Sequence, residues 1–276
     1  VKCMDIKGIL RKNQYTYQMG KIFRFIQLKI ENSLFCIGGF FRRIGIDKRY
    51  DEIENLKGKY DGERCFIIAT GPSLTSEDIL KVKNEYTFTM NAMCLKFNEL
   101  QWKPTFYGIQ DEKVFHRLKN DILRANIKYT FVDGAYRKEI DNGDTWIYFP
   151  RNYFYNAYAA HFKHIYKAKF SIDCKECVYE GFTITYSLIQ IAVYLGFKEI
   201  YLMGCDCSYD VDRSKSYFVD HGIVDPTFKE AGNRMTAAYY RAKEFADKNN
   251  VKIFNATRGG KLEVFERVNL DDIVNY

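Results

Sequence analysis

The stretch "FIIATGPSL" (66–74) ends an apolar run on Thr70-Gly71-Pro72-Ser73, residue types that together could hold an anion. Gly71 lets backbone approach a ligand closely, Pro72 fixes φ, and Ser73 is placed to cap a helix starting near Leu74 or Thr75. Backbone N–H groups of such a turn, backed by the positive end of a helix, make a phosphate site. No GK[ST] follows and no G-x-G-x-x-G is formed, so the turn is neither a Walker A loop nor a dinucleotide fingerprint. Other polar residues follow apolar runs in the same way: Asn91, the pair Gln110-Asp111, and Asp206 to Tyr209. Thr183 and Thr185 open a second helical pattern and supply a second helix N-terminus. Asp210-Val211-Asp212 has the spacing that seats two carboxylates on a divalent cation, which would serve Mg²⁺-dependent phosphoryl transfer.

The elements that must position these residues are short and regularly spaced. Strands are expected at 64–69, 86–90, 105–109, 128–133, 145–149, 198–203 and 251–256, because each is a short apolar run rich in β-branched and aromatic residues. Helices are expected near 75–83, 112–125, 152–168, 183–196 and 234–249. Such alternation predicts an α/β domain, Rossmann-like, with a mostly parallel sheet and helices on both faces. In that architecture ligands bind beyond the carboxyl ends of the strands, so Thr70 to Ser73, Asn91, Gln110, Asp111 and Asp206 should converge. The polar stretch 206–232 is long enough to be a lid.

Charge divides the chain in two. Residues 1–50 hold eleven Lys/Arg against three Asp/Glu, a surplus of eight, so with a net charge of +7 the remainder stands at −1. A nucleic-acid binder would spread its charge over the folded domain, and this one does not. Residues 1–58 are therefore expected to form a basic amphipathic arm ahead of a catalytic domain at 59–276. Apolar and cationic residues alternate through 18–43, without the roughly 18 uncharged apolar residues of a spanning helix. That pattern suits a helix lying on an anionic membrane surface, or one packed on its own domain or on a partner chain in a homo-oligomer. Eight cysteines could suggest a disulfide framework, but the chain is too long to need one, and Cys65 and Cys205 fall in or beside strand-like runs. No signal peptide is expected, and the chain is read as cytoplasmic, peripheral to the inner face of the membrane.

Four segments carry a family resemblance: "FIIATGPSL", "TMNAM", "TITYSLIQIAVYLGFKEIYLMGCD" and "NVKIFNATRGGKLEVFERV". They resemble the Rossmann-like family of pterin pyrophosphokinase-like proteins and motility-associated flagellin glycosyltransferases. The first three are also similar to the bacterial sialyltransferases of glycosyltransferase family 42, which have a GT-A-like variant of the fold. That resemblance implies a CMP-sugar donor held by Thr70, Gly71, Pro72, Ser73, Asn91, Gln110, Asp111, Thr183, Thr185 and Asp206. It also implies His221 as the base and the hydroxyls of Tyr209 and Tyr217 at the departing phosphate, with no essential metal and no cofactor. The expected reaction is transfer of a nonulosonic acid to a bacterial surface glycan or lipid-linked acceptor. The pyrophosphokinase-like branch implies instead ATP, Mg²⁺ and a pterin-like alcohol, and a non-catalytic nucleotide-binding module is the third reading.

Overall fold

A computed structural model of the chain describes residues 14–139, 146–162, 165–208, 217–220, 222–223 and 230–274. Tyr209, Asp210, Asp212 and His221 lie outside the described residues.

A long helix α1 (Gln14–Arg43) and a short α2 (Asp51–Glu54) precede the sheet. Then follow β1 (Arg64–Ile68), α3 (Ser76–Lys81), β2 (Tyr86–Met90), α4 (Phe97–Leu100), β3 (Phe106–Ile109), α5 (Glu112–Ala125), β4 (Tyr129–Asp133) and β5 (Trp146–Phe149). The second half holds β6 (Arg151–Asn152), α6 (Phe154–His161), β7 (Val178–Tyr179), α7 (Ile184–Leu195), β8 (Glu199–Met203), α8 (Ala231–Lys248), β9 (Lys252–Asn255), β10 (Glu266–Arg267) and α9 (Leu270–Val274). Eight strands form one sheet in the order β10-β9-β8-β1-β2-β3-β4-β5, while β6 and β7 make a separate small pair. Every pairing is parallel.

The seven expected strands are all present. Their interiors are buried on both faces, as parallel strands sandwiched by helices must be, so aromatic residues pack across neighbouring strands. Phe88 stacks on Phe106 with ring centroids 4.3 Å apart, Phe66 stacks on Tyr201 at 5.0 Å, and Phe197 meets Phe88 and Phe106 edge-on. Much of the Phe and Tyr content lies in this core, while Tyr15, Phe23, Phe40, Phe41, Tyr153 and Tyr240 are exposed.

α7 is buried along nearly its whole length, because β1, β2 and β3 lie on one side and α8 on the other. Gly196 ends it at φ +107°, a left-handed position that also brings the chain against the backbone of Asp61. The helix expected over 152–168 is shorter. It stops at His161, and Phe162 has left helical geometry with ψ 86°.

α1 packs on the domain through one face. Phe25 sits edge-on to Phe162 at 5.4 Å, Asn152 donates to Asn32 at 3.0 Å, and the buried Arg42 donates to the Glu176 carbonyl at 3.0 Å. Among the described residues no helix is long and apolar enough to cross a membrane.

Candidate functional site

The strand order reverses at β1, which has β2 on one side and β8 on the other. Chains leaving neighbouring strands there diverge and open a crevice. A cavity of about 230 Å³ fills it, lined by Thr70, Gly71 and Pro72 after β1, Asn91 after β2, Gln110 and Asp111 after β3, Thr183 and Thr185 at α7, and Asp206 after β8. Tyr217 also lines it. Ser73 does not face the cavity; it acts one step behind.

The turn after β1 is clamped to the loop after β8. Gly71 N–H donates to the Gly204 carbonyl at 2.9 Å, and the Ser73 hydroxyl donates to Asp206 Oδ2 at 2.8 Å. A Cβ on Gly71 would overlap both the Asp206 carboxylate and the Gly204 carbonyl, so glycine is required for the close approach. Burial raises the Asp206 pKa above its ordinary value, with the Ser73 hydrogen bond opposing. Lys261 N–H donates to the Asp206 carbonyl at 2.6 Å, so Asp206 joins three loops. The neighbouring thiol of Cys207 is pushed up to about 12 by burial and then by the Asp206 charge, which leaves it protonated and unsuited to nucleophilic chemistry at neutral pH.

Ser73 does not cap the helix. Thr75 does, in a capping box: its hydroxyl accepts from Asp78 N–H at 3.2 Å, and Asp78 Oδ2 accepts from Thr75 N–H at 3.2 Å. The Asp78 carboxylate therefore occupies the positive end of α3 and also pairs with Arg258. The anion site expected at that helix end is already filled by the protein's own side chain, and Arg258 is drawn to Asp78 rather than to the cavity wall. The Gly71 N–H is spent on the Gly204 carbonyl and Pro72 has none, so the turn contributes a closely approachable backbone surface rather than a row of donors.

Asn91 takes φ +50°, a left-handed conformation that asparagine tolerates better than most residues. Its side-chain oxygen is buried and has no hydrogen-bond partner among the described residues. A buried orphan acceptor costs about 1–3 kcal/mol, a cost removed when a ligand donor meets it. Gln110 is held through its oxygens: Ser187 on α7 donates to its Oε1 at 2.7 Å, and Tyr136 donates to its carbonyl at 2.9 Å. Asp111 caps α5 by accepting from Val114 N–H at 3.0 Å. Thr183 caps α7, accepting from Thr185 N–H at 3.3 Å. Asp111 and Thr183 thereby shape the wall by fixing the helix starts around it.

The residues after the first, second, third and sixth expected strands leave out a buried ionic group on the far wall. Arg151 Nε lies 2.6 Å from Asp133 Oδ2 and its Nη1 3.1 Å from Glu180 Oε2, while Asn156 donates to Glu180 Oε1 at 2.5 Å. Arg151 and Glu180 line the cavity. Burial raises the Glu180 and Asp133 pKa values, with Arg151 opposing in both cases. Phe182, Met235 and Tyr239 add an apolar side. Among the described residues no group of three or more His, Cys, Asp or Glu is placed to hold a metal ion, and Cys174, Cys177, Cys205 and Cys207 remain free thiols.

A parallel doubly wound sheet with a closed turn at its switch point and polar walls around a crevice defines a Rossmann-like α/β protein, a fold that takes ligands at that crevice. The sequence profile of the 6-hydroxymethylpterin diphosphokinase MptE-like family matches residues 45–212, and the chain belongs to that family. Among solved structures it is similar to the MAf glycosyltransferase from Magnetospirillum magneticum AMB-1, at 17% identity and a TM-score of 0.52 over 82% of this chain and 39% of that one. The two share a fold, and this chain spans about two fifths of the length of that enzyme. A looser overlay, with a TM-score of 0.37 and 14% identity over 74% of this chain and 84% of the other, relates it to the sialyltransferase CstII from Campylobacter jejuni in complex with a substrate analogue, cytidine-5'-monophosphate. No curated protein matches the chain.

Proposed function

We propose that the protein is a glycosyltransferase that takes a nucleotide-activated sugar in the switch-point cavity, with a CMP-linked nonulosonic acid as donor and a hydroxyl of a bacterial surface glycan or lipid-linked precursor as acceptor. The observation that carries this reading is the cavity itself: the Gly71 turn closed on Asp206, together with Asn91, lines a space of about 230 Å³ at the switch point. The turn lets the ligand approach bare backbone at Gly71, and the Asn91 amide lies beside it among the lining residues.

The chemistry needs few groups. The acceptor oxygen forms a bond to the anomeric carbon while the bond from that carbon to the phosphate oxygen breaks, and the nucleotide leaves with the electron pair. The acceptor proton passes to His221, the only histidine in the segment 206–232, and tyrosine hydroxyls donate to the leaving phosphate. Tyr217 stands in the cavity wall for that role, and Tyr209 is its second candidate.

One observation favours a second reading. Asp111, Glu180 and Asp206 line the cavity, and among the described lining residues Arg151 is the sole cation, already held between Asp133 and Glu180. An acidic wall receives a polyphosphate more readily when a divalent cation comes with it. Mg²⁺-dependent diphosphoryl transfer from ATP to a pterin-like alcohol would fit that electrostatics and the family profile.

Calorimetric titration with CMP, UDP, GDP and ATP, each in EDTA and then in Mg²⁺, separates the two. Glycosyl transfer predicts CMP binding indifferent to EDTA. ATP binding that appears only with Mg²⁺ would replace it with the phosphoryl-transfer reading.

A further inference from the structure

α1 has two opposite faces, a mixed one that its own domain covers and an apolar one that it does not. The covered face follows positions 21, 25, 28, 32, 35, 39 and 42, alternating four and three residues, and includes the edge-on contact of Phe25 with Phe162 and the buried Leu28 and Arg42. The outer face repeats the same alternation one step round the helix: Phe23, Ile26, Ile30, Ser33, Ile37, Phe40 and Ile44. Six of those seven are large and apolar, and they stand 71, 50, 55, 52, 54 and 49% exposed in chain order, Ser33 excepted. Ile44 follows the last helical residue, but its N–H still donates to the Phe40 carbonyl at 3.1 Å, which keeps it in line.

A 3-4 alternation of apolar residues is the seam along which one helix receives the side chains of another. A helix meeting only its own domain has no use for a second such seam, and large exposed apolar patches mark interaction surfaces. We infer that the outer face of α1 is the contact with a second copy of this chain.

Area and charge both favour a protein partner over an anionic lipid surface. Large side chains at half exposure hide roughly 100 Å² each on docking. The six seam residues with Met19, Ile22, Leu34 and Phe41 beside them would then bury on the order of 1,000 Å² per partner, enough for a stable interface, which needs about 800 Å² a side. An anionic lipid surface needs free cations along the apolar stripe. The five cations of α1 are otherwise engaged. Lys21 lies over the Tyr17 ring and Lys29 over Phe25 and Phe154. Arg24 faces Glu31, Arg42 donates to the Glu176 carbonyl, and Arg43 pairs with the Glu176 carboxylate.

The test is sedimentation equilibrium of the whole chain and of the double variant Ile30→Glu/Ile37→Glu, from about 1 to 100 µM, with circular dichroism to check folding. Both substituted positions are exposed, so the variant should fold. The wild type is expected to be dimeric and the variant monomeric, with the association constant lowered at least 100-fold. A wild type that stays monomeric throughout the range overturns the inference, and this arm needs no variant. So does a dimer that survives the substitutions, which would place the contact elsewhere. Vesicles of phosphatidylcholine and phosphatidylglycerol that bind a monomeric wild type but not the variant would overturn it in favour of a lipid surface.

Discussion

Gly71→Ala tests the clamp at the cavity most directly. The added methyl would fall on the Asp206 carboxylate and the Gly204 carbonyl, and Gly71 is not at positive φ, so the penalty is steric rather than conformational. Two outcomes are open to the fold. The turn can shift away, at the ~1–3 kcal/mol typical of an extra methyl in tight packing. Alternatively Asp206 can swing off Ser73 and lose a hydrogen bond to a charged acceptor, worth about 1.5–3 kcal/mol. Either route costs roughly 1–3 kcal/mol, an appreciable part of the 5–15 kcal/mol that holds a typical domain folded. At about 2–4 °C per kcal/mol for a chain of this size, melting should fall by roughly 5 °C. Removing the carboxylate by Asp206→Ala in the same chain should restore only part of that, since the Gly204 carbonyl stays in place. Nucleotide affinity, read by calorimetry at a temperature where the variant is folded, should drop at least 10-fold. A variant that melts within a degree or two of the wild type and binds nucleotide unchanged would refute the clamp.

Asn91→Gly should raise stability by about 0.5–1 kcal/mol, because glycine suits the φ of +50° and no orphan oxygen is left. It should also weaken nucleotide binding by about 2- to 12-fold, the worth of one hydrogen bond; paired melting and titration curves check both. His221→Ala should cut turnover of a CMP-sugar about 10²- to 10⁴-fold with little change in CMP affinity, and near-normal turnover removes it from the mechanism. Asp206 is favoured in its protonated form when folded, so its contribution to stability is complete below the ordinary value of 3.8 and is lost as pH rises through the raised folded value. Asp206→Asn should therefore gain stability relative to wild type as pH goes from 4 to 7, and a pH-independent offset in thermal melts would contradict the shift. Glu180→Gln should raise the acceptor KM more than it changes donor binding, because the carboxylate lies on the wall opposite the Gly71 turn; equal effects on donor and acceptor would assign Glu180 a purely structural role.

Much of the fold is legible in the sequence because parallel strands must be apolar on both faces. "RCFII", "YTFTM" and "EIYLM" stand out as short β-branched and aromatic runs without any helical period. β6, β7 and β10 are two residues long, too short to carry a period, and depend on chain crossings that no local pattern encodes. α6 is over-read for the opposite reason. Its aromatic-rich sequence continues a helical pattern past His161, but the chain turns away at Phe162.

The site is legible where it follows a strand and hidden where it depends on topology. Thr70, Asn91, Gln110 and Asp206 each follow a recognisable strand, so one rule about strand ends brings them together. The same rule, applied to the fourth and fifth strands, would have found Asp133 and Arg151. Thr75 was also available: "TSED" is a Thr-x-x-Asp capping box, which outcompetes Ser73 because Asp78 can return the hydrogen bond. Glu180 could not be found this way, since it follows a two-residue strand and reaches the cavity only because β7 pairs with β6 beside Arg151. That residue changes the electrostatics most. With it, the wall opposite the Gly71 turn is a network of carboxylates shared by one guanidinium, disposed to accept hydrogen bonds from hydroxyls and poorly suited to phosphate. On the proposed reading the hydroxyl-bearing substrate therefore belongs on the Arg151–Glu180 side, and the nucleotide toward the Gly71 turn.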